Sequence, residues 1–324
     1  MPTTSEPTYG GIFDVAQVAH VELLSPDPQG TYDFFTKFLG MFETERHGQS
    51  VYLRAYEESY HHSLKITESP KPGLGHVGLR ARSPEALQRR VASIETTGLG
   101  VGWTDGDLGH GDSYHFRLPS EQNFELFYDV DYYDVPEDQK SKLLNRPQKR
   151  PPTGVPVRRI DHCTFTAPDV KATREFLTDH LGFQAREQIV SDDGSVEIGS
   201  WMSTSLVVHD LAFTADPAGL PGRFHHVCYW YGIPQHVADA AELLREHGYV
   251  VEGGPGKHGL AQGIFLYVFE PGGNRVELYG DAGYLIFDPA WKTIKWKESE
   301  LDWGAAVYGV VPDTFFTVVT PPVD

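Results

Sequence analysis

Only two cysteines, Cys163 and Cys228, occur in 324 residues. They cannot form a disulfide framework, so a reducing cytoplasm is the expected setting. Positive charge is scarce as well. Against 45 acidic residues stand 27 lysines and arginines, for a formal net charge of −18. That balance favours solubility and argues against nucleic acid as a partner. No apolar run reaches the roughly 20 residues of a membrane span. Met1–Gly10 is polar and lacks the basic start and apolar stretch of a signal peptide. A dinucleotide fold is unsupported too. No Gly-x-Gly-x-x-Gly follows a first strand, Gly253–Gly259 lacks the strand–helix setting, and no Gly-Lys-Ser/Thr loop occurs.

What is present is a repeat. Hydrophobic residues make up 40% and charged residues 22%, as in an ordinary globular protein long enough for two cores. Ala16–Leu24 alternates as a strand and ends before Ser25-Pro26. Pro28–Leu39 carries Tyr32, Phe35, Phe38 and Leu39 at helical spacing, and Gly40 stops it. Strands are expected at Ser50–Arg54, Ser63–Ile66 and Gly75–Ala81. Ser83-Pro84-Glu85 then caps a helix running to about Thr97. Ser113–Leu118 and Phe124–Tyr128 form a hairpin. After a charged, proline-rich stretch the pattern returns. Thr166–Phe183 echoes Ser25–Met41, His226-Val227 echoes His76-Val77, and helix Pro234–His247 echoes Pro84–Thr97. Such internal repetition outweighs any single motif. It predicts an α+β fold of four strand–helix–strand–strand–strand modules, two per half. The expected boundaries are a first domain over 1–132, a linker over 133–158, a catalytic domain over 159–284 and a C-terminal extension over 285–324.

His162, His226 and Glu277 each sit in a strand-like run, too far apart for a zinc finger. Strands of one curved sheet could bring them together. Two imidazoles and a carboxylate hold one face of a divalent metal and leave positions free, the pattern of oxygen-activating Fe(II) sites. A lone strand histidine is more often structural; here the spacing, the repeat and the buried carboxylate argue for ligands. His20, His76 and Glu125 occupy the matching places in the first half. They form either a second metal site or a duplicated half whose polar groups only satisfy hydrogen bonds. The second half adds His209, His258 and Tyr267; the first has His110 in its loop and His115 at the place of Tyr267. Period-two alternation predicts that His225 points away from His226. Cys163 and Cys228 read as buried packing.

Phe224-His225-His226-Val227, the Gly-Pro-Gly-Lys-His-Gly loop and Asn274–Tyr279 resemble the type I extradiol ring-cleaving dioxygenases. These belong to the vicinal oxygen chelate superfamily, and the catechol and homoprotocatechuate 2,3-dioxygenases are the nearest in pattern. The resemblance runs from Asp14 to about Val310. It implies a vicinal oxygen chelate fold and Fe(II), occasionally Mn(II), held by His162, His226 and Glu277. It further implies that His209 moves protons, that His258 and Tyr267 hold substrate oxygens, and that Trp201 lines the pocket. The expected reaction is extradiol cleavage of a catechol by O2 to a 2-hydroxymuconate semialdehyde. Assembly as a homo-oligomer, with a tetramer favoured, is also implied.

This chain departs from that pattern in places. Thr164 stands where the family has an asparagine two residues past the first ligand. One of the arginines that grip a substrate carboxylate in the homoprotocatechuate enzymes falls on Gly253, and the other falls in the region of Glu300-Leu301. Catechol or an alkylcatechol is therefore the expected substrate. Two other readings stay open on the residues. A glyoxalase-type metal isomerase or lyase would share the ligands but not consume oxygen. A non-catalytic protein that binds small aromatics would hold no metal.

Overall fold

The computed structural model describes residues 13–322; Met1–Gly10, read above for targeting signals, lies outside them. The first half begins with β1 (Val15–Ser25), α1 (Pro28–Asp33, continued by a π-helical turn over Phe34–Phe38), β2 (Phe42–His47), β3 (Ser50–Arg54) and β4 (Leu64–Glu68). It continues with β5 (Gly73–Ala81), α2 (Pro84–Glu95), β6 (Gly100–Thr104), β7 (Ser113–Arg117) and β8 (Asn123–Phe127). The second half opens with β9 (Arg159–Ala167), α3 (Val170–Leu181), β10 (Gln184–Val190), β11 (Glu197–Ser203) and β12 (Leu211–Ala215). Then come β13 (Phe224–Trp230), α4 (Pro234–Glu246), β14 (Val251–Lys257), β15 (Ile264–Phe269) and β16 (Arg275–Tyr279). A short β17 (Ile294–Lys297) and α5 (Leu301–Ala305) follow. The βαβββ order thus occurs four times.

Each half is one sheet. The first has the order β2-β3-β4-β1-β5-β8-β7-β6, the second β14-β15-β16-β13-β9-β12-β11-β10-β17. Within every unit the first strand pairs parallel with the last. Two units then join through their first strands, antiparallel, at β1–β5 and β9–β13. The centre of each sheet is therefore built from strands distant in sequence.

Local chemistry explains the helices. Asp27, Ser83 and Asp169 each accept a hydrogen bond from a first-turn backbone N–H. Prolines open α1, α2 and α4. Gly182 ends α3 with φ of 78°, a left-handed turn that costs glycine little. Two expectations need correction. Phe42–His47 and Gly100–Thr104 are strands beyond those expected at particular residues. Both are edge strands with mostly exposed or half-buried side chains, so no clear apolar alternation marks them. The Gly253–Gly259 loop is largely strand: β14 runs to Lys257, with a register shift between Gly253 and Gly256.

One continuous apolar core joins the halves, with Phe124 against Phe165, Phe116 against Phe176 and Phe35 against Tyr229. Polar ties are reciprocal. Gln122, in the β7–β8 turn, donates to the Thr166 and Arg223 carbonyls of the second half. Glu270, in the β15–β16 turn, accepts from Thr31 of the first, and Asn274 donates to the Leu24 carbonyl. The stretch before β9 is laid along the π-helical turn: Val155 and Val157 donate to the Phe38 and Leu39 carbonyls. Among the described residues no helix is long and apolar enough to cross a membrane.

Candidate metal centre and active site

Strands β9, β13 and β16 are neighbours, and this brings His162, His226 and Glu277 together. His162 Nε2 lies 2.9 Å and His226 Nε2 3.0 Å from Glu277 Oε2, and the two nitrogens are 3.3 Å apart. All three side chains are buried. Whether this set suits a metal can be tested on the tautomers. The Asp161 carboxylate can only accept, so His162 Nδ1 donates to it at 3.0 Å. His225 Nε2 donates to the Phe315 carbonyl at 2.8 Å, which leaves its Nδ1 to accept from His226 Nδ1 at 2.6 Å. In the neutral rings both Nε2 atoms therefore present lone pairs towards Glu277, as metal-binding histidines do. Glu277 Oε1 is buried without a hydrogen bond among the described residues. These donors fit a divalent transition metal.

The electrostatics agree. Burial resists ionising Glu277, but the imidazoles crowded against it, His162 and His226 first, hold it well below the usual carboxylate range. Burial also opposes charging His162, yet Asp161 and Glu277 lift it to about 9. At His226 burial wins over Glu277 and lowers it to about 4. The carboxylate thus draws one proton onto the pair of imidazoles. A cation binding there would displace that proton.

His225 does not turn away from His226, contrary to the alternation argument. The register between β13 and β9 shifts between Phe224 and His226, and the extra residue breaks the period-two pattern. His225 then stands against His226 and helps line the cavity in front of the triad. Cys163 and Cys228 are fully buried, and burial pushes both thiols up, so they remain neutral packing groups.

The cavity gathers the other expected residues: Thr164, Trp201, His209, His258 and Tyr267 all line it. His209 lies with its ring 4.0 Å from that of His162. Burial, then the nearby His162 charge, lower its pKa well below the ordinary value, so the ring is neutral. The neighbouring Asp210 carboxylate accepts from the Thr204 backbone. His258 Nδ1 donates to the Ala305 carbonyl at 2.6 Å, so its Nε2 accepts the Tyr267 hydroxyl at 2.8 Å. Phe265 stacks on the His258 ring at 3.9 Å and fixes its plane. Burial pushes Tyr267 well above its ordinary pKa and keeps the phenol protonated.

Sequence reasoning missed several walls. Leu260, Ala261, Val311, Phe315 and Phe316 complete the cavity from a loop and from the chain end. No motif marks them.

Residues 159–278 match the Glyoxalase/Bleomycin resistance protein/Dioxygenase superfamily. A metapyrocatechase of Geobacillus stearothermophilus is 52% identical over 312 residues, 96% of this chain and 95% of the relative. A manganese-dependent 2,3-dihydroxybiphenyl 1,2-dioxygenase of Geobacillus genomosp. 3 is 38% identical over 91% of this chain and 94% of its own. The solved homoprotocatechuate 2,3-dioxygenase of Brevibacterium fuscum, in complex with 3,4-dihydroxyphenylacetate, superimposes with a TM-score of 0.82 at 26% identity. That match covers 96% of this chain and 94% of the solved one. Identity that extends nearly end to end takes in both sheets and the site between their strands, and on that ground the chain belongs to the extradiol ring-cleaving dioxygenases of the vicinal oxygen chelate superfamily.

Proposed function

We propose that this protein opens the ring of catechol, or of an alkylcatechol, beside its diol, consuming O2 and releasing a 2-hydroxymuconate semialdehyde. Both oxygen atoms of O2 end in the product. The observation that carries this reading is the His162–His226–Glu277 triad at the floor of a cavity walled by aromatic side chains and edged by His209, His258 and Tyr267. The triad would hold Fe(II), with Mn(II) the alternative raised by the manganese-dependent relative. Such an ion supplies positive charge for a bound catecholate and open positions for the two reactants.

The chain's own side chains do the rest. His209, at the cavity wall beside the His162 ring, is placed to take a proton as the diol ionises and to return it when the ring opens. Tyr267 keeps its proton, which the hydroxyl gives to His258 Nε2; released from that bond, it can be given instead to an anionic substrate oxygen. Trp201 and Phe315 present apolar rings that orient the substrate ring and exclude water. No lysine or arginine is among the described residues lining the cavity, which suits a neutral diol.

Oxygen uptake with catechol, 3-methylcatechol and 4-methylcatechol, after anaerobic loading with Fe(II), tests the reading. Uptake should be stoichiometric with a product bearing an enol and an aldehyde, or, where 3-methylcatechol is cleaved at its methyl-bearing carbon, an enol and a methyl ketone. Metal-loaded protein that consumes no oxygen with any of them would refute it and favour the isomerase class.

A further inference from the structure

The first half contains its own cluster, remote from that cavity. His20, His76 and Glu125 come from β1, β5 and β8, the counterparts of β9, β13 and β16. His20 Nε2 lies 2.9 Å and His76 Nε2 3.3 Å from Glu125 Oε1, and the two nitrogens are 3.0 Å apart. Two more imidazoles converge on the same carboxylate. His110 Nε2 is 3.3 Å from Oε1, and His115 Nε2 is 3.2 Å from Oε2. Gly78 pairs with His20 across the strands, and a Cβ there would collide with the His20 ring. The site therefore has the space its histidine needs.

Hydrogen bonding alone does not account for this cluster. His76 Nδ1 donates to the Glu22 carboxylate at 2.8 Å, and His110 Nδ1 donates to the Gly111 carbonyl at 2.9 Å. Neither partner can donate back, so each neutral ring presents its Nε2 lone pair to Glu125. His110 Nε2 and Glu125 Oε1 are both buried, and among the described residues neither makes an aligned hydrogen bond. Two lone-pair atoms facing each other in a buried site repel unless a cation lies between them. One proton can bridge one such pair, but three imidazole nitrogens surround a single oxygen. The second-half triad is held by the same device, a donating Nδ1 that turns a bare Nε2 inward.

We propose that His20, His76, His110 and Glu125 bind a second divalent first-row transition ion, distinct from the one at His162, His226 and Glu277. Three imidazoles and one carboxylate suit zinc, iron or cobalt far better than magnesium or calcium. The coordination is closed. The His62 ring lies 4.7 Å and the Phe127 ring 5.5 Å from that of His20, and Phe127 stacks on His110 at 4.4 Å. Those rings pack against the imidazoles of the cluster. His62 stands where His209 stands in the repeat, each two residues ahead of its unit's last strand. Four protein donors complete the shell of a structural ion and leave it no open position, unlike a catalytic one. It would pin β1, β5 and β8, the centre of the first sheet.

Counting metals in the full-length protein tests this. Protein would be incubated anaerobically with excess Fe(II), Co(II) or Zn(II), freed of loose ion by gel filtration, and assayed by elemental mass spectrometry. Wild type should keep two ions per chain with at least one of the three metals. Glu125→Gln and Glu277→Ala should each keep one, and the double variant none. In the Co(II)-loaded Glu277→Ala protein, the remaining ion should show the intense visible bands of four-coordinate cobalt. A wild type that keeps one ion per chain with all three metals overturns the proposal, as does a Glu125→Gln protein with unchanged stoichiometry. Should Glu125→Gln fail to fold, His110→Ala decides: tenfold or greater weakening of the second equivalent supports the site, and unchanged affinity rejects it.

Discussion

Glu277 supplies the only negative charge among the three second-half donors, and its burial makes that charge costly unless a cation shares it. Glu277→Ala should therefore release the ion of the second half and abolish oxygen uptake, with the far-ultraviolet circular dichroism unchanged. Retention of that ion, with loss on Glu125→Ala instead, would reverse the assignment of the halves. His209 is a different case. It touches the His162 ring but points no hydrogen bond at the triad among the described residues. His209→Phe should keep metal and anaerobic catechol binding while kcat falls at least tenfold, within the ~10²–10⁴ typical of acid–base groups. Loss of metal in that variant would move His209 into the coordination sphere. His225 acts through its neighbour: it accepts from His226 Nδ1 and so sets which nitrogen is bare. His225→Leu should weaken metal binding by about 10–100-fold, the usual cost of losing such a partner. His225→Asn, which restores an acceptor, should recover part of it; equal affinities in the two variants would dismiss the relay.

At the scale of elements, the β15–β16 turn is tied both to itself and to the other half. Glu270 accepts from the Gly272 and Asn274 backbones, from the Asn274 amide and from Thr31 of the other half. Replacing it by alanine leaves several buried donors without a partner. Glu270→Ala should cost about 2–4 kcal/mol in urea denaturation, from the penalty of about 1–3 kcal/mol per orphaned group. A loss below ~1 kcal/mol would mean that water replaces the carboxylate. The legibility of the elements follows burial. Helices α2, α3 and α4 carry caps or first-turn prolines and one apolar face, so their sequence periodicity was readable. Edge strands β2 and β6 have mostly exposed or half-buried side chains, and neither alternation nor composition marked them. β14 was hidden by its glycines and proline, which read as a loop although its ends still pair with β15.

For the molecule as a whole, charge and cavity lining together bear on substrate choice. The net charge of −18 opposes an incoming anion, and no lysine or arginine is among the described residues around the cavity. Gly253 lies on β14 with the Val310 carbonyl 3.0 Å from where a Cβ would stand, so a long cation there would meet backbone. Catechol should exceed 3,4-dihydroxyphenylacetate in kcat/KM by at least tenfold at equal ionic strength, measured by oxygen uptake. If the carboxylated diol is the better substrate by that margin, a basic group reaches the cavity by another route.

The four-fold unit, the caps and the spacing of His162, His226 and Glu277 were determined by sequence alone, because strand alternation, helical period and motif are local and survive in the order of residues. The neighbours of those ligands were not. Whether His225 faces its partner depends on a bulge between two strands that meet only in the folded sheet. The neutral state of His209 depends on burial by side chains from the rest of the second half. Phe315 and Val311 reach the cavity because the chain end folds back across the second sheet. In the first half, the same ligand spacing gathers a further imidazole, since His110 packs against His20 and Phe127. Both halves carry the pattern; packing decided what stands beside each buried charge, since only the folded sheet sets which side chains meet there.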